Sequence, residues 1–272
     1  MKHSNGLFVL LLMLLLTAGS AFALSVQPDR IEARLEPGQK AVGVHRVMNN
    51  STTPVIVKVS AIDWRKSLFE QQHNVDVSDW LTLPATEFSL EKGQYKDVNF
   101  YVLLPADFIG EKVAQMFFEA IPQGEGAQAI RSKLGVIVYA IAKGTERVSA
   151  QMTYAHVTYI PSVKTKTGEM PLYNLLYKIY NKGNVHIRPY GTIAIYKNWR
   201  KEPEDTVRIE PNMGVYPGQT KEYYFQRKAK KLAPGKYYAV FTMNIGDLYE
   251  QKKVIKKKFR FEVKASTEQV DT

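Results

Sequence analysis

Apolar and polar residues alternate through most of the chain. Val98, Phe100 and Val102, for example, are separated by Asn99 and Tyr101. A period of two places every second side chain on the same face of an extended strand, so this pattern predicts strands that are buried on one face. No stretch shows a sustained helical period. The sequence therefore predicts an all-β protein.

The alternation predicts seven strands in the first half of the chain. They are 25–34, 40–49, 54–64, 87–90, 95–103, 113–121 and 130–142. Seven short strands separated by turns match one immunoglobulin-like sandwich. The pattern is interrupted at Gly144, which we interpret as a domain boundary.

A second series of strands follows this boundary. It comprises 148–159, 173–180, 186–196, 207–210, 220–227, 236–245 and 253–263. The sequence therefore predicts two immunoglobulin-like β-sandwich domains in tandem, 24–144 and 145–264, followed by a polar tail, 265–272. The turns 37–39 and 217–219 are both Pro-Gly-Gln, an internal echo that we interpret as related folds with the same turn requirement.

The first 23 residues have the features of a signal peptide. Lys2 and His3 precede an apolar run at 7–16, and Ala21 and Ala23 form a small-residue cleavage pattern. The alternative is an uncleaved anchor helix, but this run is shorter than the roughly 20 residues that span a bilayer. We expect an exported protein whose mature chain has no membrane span. Since the chain has no cysteine, disulfides and thiol chemistry are excluded.

Positive charge is concentrated in the second half of the chain. Residues 24–146 contain 13 Lys and Arg against 15 Asp and Glu, whereas 147–272 contain 23 against 11, which gives net charges of −2 and +12. Lys256, Lys257 and Lys258, with a second basic run at 227–231, are the candidate binding surface. An exported basic domain attracts anionic lipid, polysaccharide or acidic protein rather than nucleic acid. The alternatives are a solvated surface and an edge strand protected from pairing.

Catalytic patterns are absent from the sequence. The histidines do not stand at metal-ligand spacing, and no nucleophile elbow, phosphate-binding loop or dinucleotide fingerprint occurs. Glu202 and Glu204 lie in a polar loop, which favours solvation over acid–base chemistry. The segment 181–191 predicts a turn between strands, with His186 in a structural role. We therefore expect a binding protein, not an enzyme, with no cofactor and no metal.

The first half resembles the PapD-like periplasmic chaperones of pilus assembly. The resemblance rests on short pieces that occur in the family's order over about 120 residues. These are 29–31, the turn 37–39, Asn49 with Asn50, 54–64, 88–93, 104–105, 117–122 and a last strand that ends at 138–139. The second half is similar to immunoglobulin-like domains appended to such exported proteins.

The resemblance implies a chaperone that binds a pilin-like exported subunit and delivers it to an outer-membrane assembly platform. A basic pair in the family's cleft holds the subunit's terminal carboxylate, and a strand adds to the subunit by main-chain hydrogen bonds. Arg30 matches the cleft arginine. The cleft lysine is expected near Gly135 or Val136, and Lys133 is the nearest cation, while 127–133 carries small or charged residues where the family has bulky apolar ones. The alternative is a structural or adhesive envelope protein that binds anionic polymer through its basic second domain.

Overall fold

A computed structural model describes residues 24–69, 75–123, 131–166, 168–197, 202–211 and 214–264. The predicted signal peptide, 1–23, and the polar tail, 265–272, lie outside the described residues. The chain divides into two compact units. The first ends at Gly144, and the second begins at Thr145 and also includes Ile109–Glu111. No helix among the described residues is long and apolar enough to cross a membrane.

The first unit is a sandwich of two sheets. Its strands are β1 (Leu24–Gln27), β2 (Arg30–Leu35), β3 (Lys40–Asn49), β4 (Val55–Asp63), β5 (Leu81–Thr82), β6 (Glu87–Leu90), β7 (Tyr95–Leu103), β8 (Glu111–Pro122) and β9 (Ser132–Ala142). One sheet has the order β1-β3-β7-β5 and the other β2-β9-β8-β4-β6. A short helix, α1 (Trp64–Phe69), follows β4. The alternating apolar side chains of both sheets meet in one core, in which Phe100 and Phe118 are fully buried.

The predicted strand 25–34 is wrong as a single element. β1 pairs antiparallel with β3, whereas β2 pairs in parallel with β9 in the opposite sheet. Pro28 lies between them, and a proline has no N–H with which to continue a ladder. The apolar positions change phase at this break, from Leu24 and Val26 to Ile31 and Ala33, so the sequence already carried a signal against one continuous strand.

The second unit is also a two-sheet sandwich. Its strands are β10 (Ala150–Thr165), β11 (Gly168–Asn181), β12 (Tyr190–Tyr196), β13 (Asp205–Ile209), β14 (Thr220–Lys228), β15 (Gly235–Asn244) and β16 (Val254–Val263). The sheets have the orders β10-β11-β14 and β13-β12-β15-β16. Aromatic side chains fill much of the core, where Tyr177 stacks on Tyr223 and meets Phe241. Burial raises the pKa of both tyrosines well above the ordinary value. The all-β prediction is confirmed.

The loop 182–189 replaces the first part of the predicted strand 186–196. β12 begins only at Tyr190, and His186 is fully buried in the loop. Its Nδ1 lies 2.7 Å from Glu111 Oε2, and the Tyr249 hydroxyl donates to its carbonyl oxygen at 2.9 Å. Position 183 has room only for glycine, since a Cβ there would lie 2.2 Å from the carbonyl oxygen of Arg147.

Candidate functional site

The last strand of the first unit is covered along only part of its length. β2 pairs with β9 from Ile137 to Ala142, and the N–H of Ile137 also donates to the carbonyl oxygen of Asp29. β8 lies on the other side of β9. Within the part of the chain that the structure describes, 132–136 therefore has no strand beside it on the β2 side. We call this segment the open end of β9.

The direction of the main-chain groups at the open end follows from Ile137. Because its N–H points to the β2 side, the N–H and C=O of Gly135 and Lys133 point to that side as well. The alternate residues Leu134 and Val136 pack on the core of the first unit. The open end thus offers main-chain groups and little apolar surface. The residues 127–130 of the expected donor segment lie outside the described residues.

Arg30 lies at the beginning of β2, the strand that covers the rest of β9. It is the first residue of β2, directly opposite Ile137. Its side chain is 46% exposed, and its Nε lies 3.4 Å from Glu32 Oε1. Ile31 on β2 packs on the core, so Arg30 projects from the opposite face of the sheet. A carboxylate bound by this guanidinium would compete with Glu32.

Lys133 lies on the same face as Arg30 but four residues before the position that Arg30 faces. Four residues of a strand span about 13 Å, so the two side chains would have to reach toward each other over Gly135. The ammonium of Lys133 lies 4.1 Å from the centroid of the Phe117 ring. This contact holds the cation above an aromatic face.

Gly135 occupies one of the two positions, 135 and 136, near which the resemblance expects a lysine. A Cβ at Gly135 would lie 2.5 Å from Gln115 Nε2 and 3.3 Å from a ring carbon of Phe117. Two β8 side chains therefore fill the space above Gly135, and Lys133 is the sole cation of β9. Sequence reasoning missed Gln115 and Phe117, because only strand pairing brings them over β9.

Arg131 also lies near Lys133 at the open end of β9, although the sequence did not lead us to name it as a site residue. Its Nη1 lies 3.9 Å from Glu119 Oε1, and its side chain is exposed. It directly precedes the open end of β9, so a third cation lies within two residues of Lys133. The basic residues Arg131 and Lys133, with a single residue between them, were the available sequence indication.

The three lysines of the predicted basic surface do not share one face. On β16, Lys256 and Lys258 lie opposite Thr242 and Val240, whereas Lys257 lies opposite the buried Phe241. Neighbouring side chains of a strand point to opposite faces. The sequence alone was therefore sufficient to predict that Lys257 is separated from Lys256 and Lys258. The second basic run, 227–231, begins within the last residues of β14, in the other sheet, and β14 is not paired with β16.

Arg260 completes the row formed by Lys256 and Lys258. The ammonium of Lys258 lies 4.0 Å and the guanidinium carbon of Arg260 5.3 Å from the centroid of the Tyr238 ring. This outward face of β16 is therefore basic and partly stacked on an aromatic ring. Over the described ranges, no group of three or more His, Asp or Glu is placed to hold a metal ion.

No family model and no curated protein sequence matches this chain. Several solved structures are similar to it. The class 5 fimbriae chaperone CfaA is 15% identical with a TM-score of 0.50, covering 86% of this chain and 98% of its own. The E. coli chaperone DraB is 14% identical with a TM-score of 0.42, covering 89% and 98%. The Salmonella enterica SafA pilin complex with the SafB chaperone matches at 12% identity and a TM-score of 0.43, covering 90% and 99%.

The similarity to CfaA extends over both units of the chain. At this level of identity the similarity concerns the fold alone. The predicted pair of immunoglobulin-like sandwiches is confirmed. The resemblance to the PapD-like chaperones therefore holds at the level of the fold.

Proposed function

We propose that this chain is a periplasmic, non-catalytic chaperone that binds exported subunits of a pilus or other surface fibre during assembly. The observation that supports it is the open end of β9, which stops at Arg30. Its main-chain groups at Lys133 and Gly135 are suited to pairing with an added strand. The SafB chaperone, which has a similar fold, forms a complex with a pilin.

The position of Arg30 suits recognition of a chain terminus. A strand that adds to 132–136 cannot continue past Ile137, because β2 occupies that side of β9. The end of the added strand therefore meets Arg30, whose guanidinium can bind a terminal carboxylate through two hydrogen bonds. Lys133 supplies a second cation at the other end of the open segment. We assign Arg30 to the carboxylate and Lys133 to the body of the bound strand.

Export is part of the same proposal. The features of 1–23 predict a signal peptide, and removal after Ala23 would start the mature chain at Leu24, the first residue of β1. The loaded protein would then deliver its subunit to an outer-membrane assembly platform. Because the open end carries few apolar side chains, we infer that main-chain pairing and charge contribute more to binding here than side-chain burial.

A pull-down from the periplasm of the host tests this function. The mature, tagged protein should retain an exported subunit at low salt and at about 0.5 M salt, a concentration that screens exposed charges beyond a few ångströms. Arg30→Ala should lose this partner. Arg34→Ala is the matched control, since Arg34 lies on the same face of β2 opposite Ile141, past the end of the open segment. Retention of the partner by Arg30→Ala would contradict the proposal.

The rival function is binding of anionic envelope polymer by the basic second unit. The row of Lys256, Lys258 and Arg260 favours it. In that case polymer or lipid should be recovered in place of a protein and released by salt. Arg30→Ala would then have no effect, whereas Lys256→Ala with Lys258→Ala would abolish binding.

A further inference from the structure

The outer side of β3 and β7 in the first unit carries a concentration of exposed apolar side chains. Among the described residues, five of the nine exposed large hydrophobic side chains lie there, so they are clustered and not scattered over the surface. They are Val42, Val44 and Met48 on β3, with Tyr95 and Leu103 on β7. We call this surface the apolar face. A contiguous apolar patch marks a surface that binds a partner.

The residues of the apolar face form rows across two neighbouring strands. The rows pair Lys40 with Leu103, Val42 with Tyr101, Val44 with Asn99, Arg46 with Asp97, and Met48 with Tyr95. On the flanking strands β1 and β5, the residues that continue these rows are polar and uncharged, namely Ser25, Gln27 and Thr82. The apolar side chains of β3 and β7 are therefore contiguous, with one ion pair among them.

The charged groups of the apolar face already have partners within it. Arg46 donates through Nε and Nη2 to the two carboxylate oxygens of Asp97, at 2.7 and 2.9 Å. Its guanidinium carbon lies 4.4 Å from the centroid of the Tyr95 ring, and the ammonium of Lys40 lies 4.1 Å from that of Tyr101. Because Arg46 and Asp97 cancel in net charge, the face lacks the excess of cations that would attract an anionic membrane or polysaccharide.

The rows of the apolar face are complementary to those of an identical face. A two-fold axis along the gap between β3 and β7 places β3 of one copy over β7 of the other. Val42 then meets Tyr101 of the second copy. In the same way Arg46 meets Asp97 of the second copy, and each contact occurs twice. Packed sheets keep their strands within about 30° of each other, which preserves this correspondence near the middle of the face.

We propose that the apolar face binds a second copy of this chain, in a two-fold symmetric dimer in which Arg46 and Asp97 pair across the interface. The nine paired residues of β3 and β7 span about 27 Å, and four strands about 15–20 Å, so each copy buries on the order of 500 Å². A standard interface buries about 800 Å² per partner, so we expect a weak dimer with a dissociation constant on the order of tens of micromolar. This face belongs to the sheet opposite β9, so the proposal goes beyond the proposed function and does not depend on Arg30.

Sedimentation equilibrium of two charge variants tests the dimer. Arg46→Asp leaves two carboxylates in the row and Asp97→Arg leaves two guanidinium groups, so each variant repels its own copy. The wild-type protein should dimerise between about 5 and about 500 μM at low ionic strength, and each variant alone should dimerise at least about tenfold more weakly. An equimolar mixture of the two variants should recover association, because an acidic row then faces a basic row.

The ion pair of Lys58 and Glu87 provides the matched control. It joins β4 and β6 in the other sheet at 3.7 Å, and its side chains are about half exposed, as are those of Arg46 and Asp97. Lys58→Glu and Glu87→Lys make the same changes in net charge as the two test variants. Alone they should leave the dimerisation constant within about twofold of the wild-type value, and their mixture should add nothing. Circular dichroism of all four variants verifies that they are folded.

A neutral substitution tests the apolar contacts separately from the charges. Val42→Thr replaces a methyl group by a hydroxyl at two symmetric contacts, and should weaken dimerisation by about fivefold. Val254→Thr makes the same change on β16 in the second unit, where the valine is 51% exposed, and should have no effect.

Several results would overturn the proposal. The wild-type protein could remain monomeric at about 500 μM, or the mixed variants of Arg46 and Asp97 could associate no more than either alone. Equal effects of the Lys58 and Glu87 variants would show that net charge controls association. A monomeric wild-type protein whose exported subunit is lost from the pull-down by Val42→Thr would assign the apolar face to that subunit.

Discussion

Asn49 and Asn181 occupy equivalent places in the two units, each as the last residue of a strand and each fully buried. Asn49 bonds through its backbone to Gln94 and Gly93, and Asn181 bonds in the same way to Gln219 and Gly218, all at 2.9 Å. Each asparagine joins the end of its strand to the turn that precedes β7 or β14. The same pair of backbone hydrogen bonds therefore links a strand end to a turn in both sandwiches.

The side chains of these asparagines complete the equivalence. The amide of Asn49 donates to the carbonyl oxygens of Thr53 and Leu90, and that of Asn181 to those of Val185 and Val215. The structure therefore relates different turns from the two that the Pro-Gly-Gln sequence suggested. The counterpart of the turn 217–219 is 92–94, although 37–39 resembles it more closely in sequence.

Loss of the buried amide should destabilise the first unit. Asn49→Ala leaves several buried carbonyl oxygens without their donor, and we expect a loss of about 2–3 kcal/mol in the free energy of unfolding. Urea unfolding followed by tryptophan fluorescence measures it, because Trp64 and Trp80 lie in this unit. Asn50→Ala, at the adjacent exposed position, is the control and should change stability by less than about 0.5 kcal/mol.

Gly43 is required by the ring of Phe100. A Cβ at Gly43 would lie 2.0 Å from Phe100 Cζ, and this ring is fully buried. Gly43→Ala should therefore destabilise the protein by about 1–3 kcal/mol, as overpacked cores do. Phe100→Leu in the same chain should recover part of the loss, which a thermal unfolding series can measure. If the two substitutions are simply additive, steric conflict at this site is not the cause.

His45 should make stability depend on pH. Burial lowers its pKa below the ordinary value, against a smaller opposing effect of its hydrogen bond to the Pro28 carbonyl oxygen at 2.9 Å. Below about pH 6.5 the unfolded chain binds a proton that the folded chain does not. Stability contributed by neutral His45 is therefore intact above that pH and falls as the pH decreases toward the folded-state pKa.

The pH effect of His45 can be isolated by substitution. Between pH 7.5 and pH 5.5 the wild-type protein should lose up to about 1.4 kcal/mol more than His45→Gln, since one pH unit below the unfolded pKa corresponds to that energy. Urea unfolding at both values gives the difference. An equal loss in the two proteins would mean that His45 does not carry the dependence.

The main-chain edge at Lys133 can be separated from its charge. Lys133→Ala removes the cation, whereas Lys133→Pro also removes an N–H that faces the open side of β9. If a subunit strand pairs there, proline should weaken its binding by a further tenfold or so, the effect of about one hydrogen bond left unmade. Affinity for the subunit recovered in the pull-down measures this. Equal affinities of the two variants would argue against pairing at this residue.

The sequence by itself determined the local structure. Alternation predicted thirteen strands close to their observed positions, because burial of one face gives the residues of each strand a period of two. Alternation did not predict β5, because a strand of two residues is too short to show a period. It also did not separate β1 from β2. The sequence could also have predicted that Lys256 and Lys258 lie on one face and Lys257 on the other, since this follows from the period of two.

Tertiary structure decided everything that depends on which strands are neighbours. The hydrogen bonds of β2 to β9 leave 132–136 open and set Arg30 at its end, and no local pattern encodes that pairing. The placement of Gln115 over Gly135 and of His156 beside Phe259 is likewise a result of packing between distant segments. Alternation fixes which face of a strand is buried, whereas partner choice depends on contacts between residues far apart in the chain.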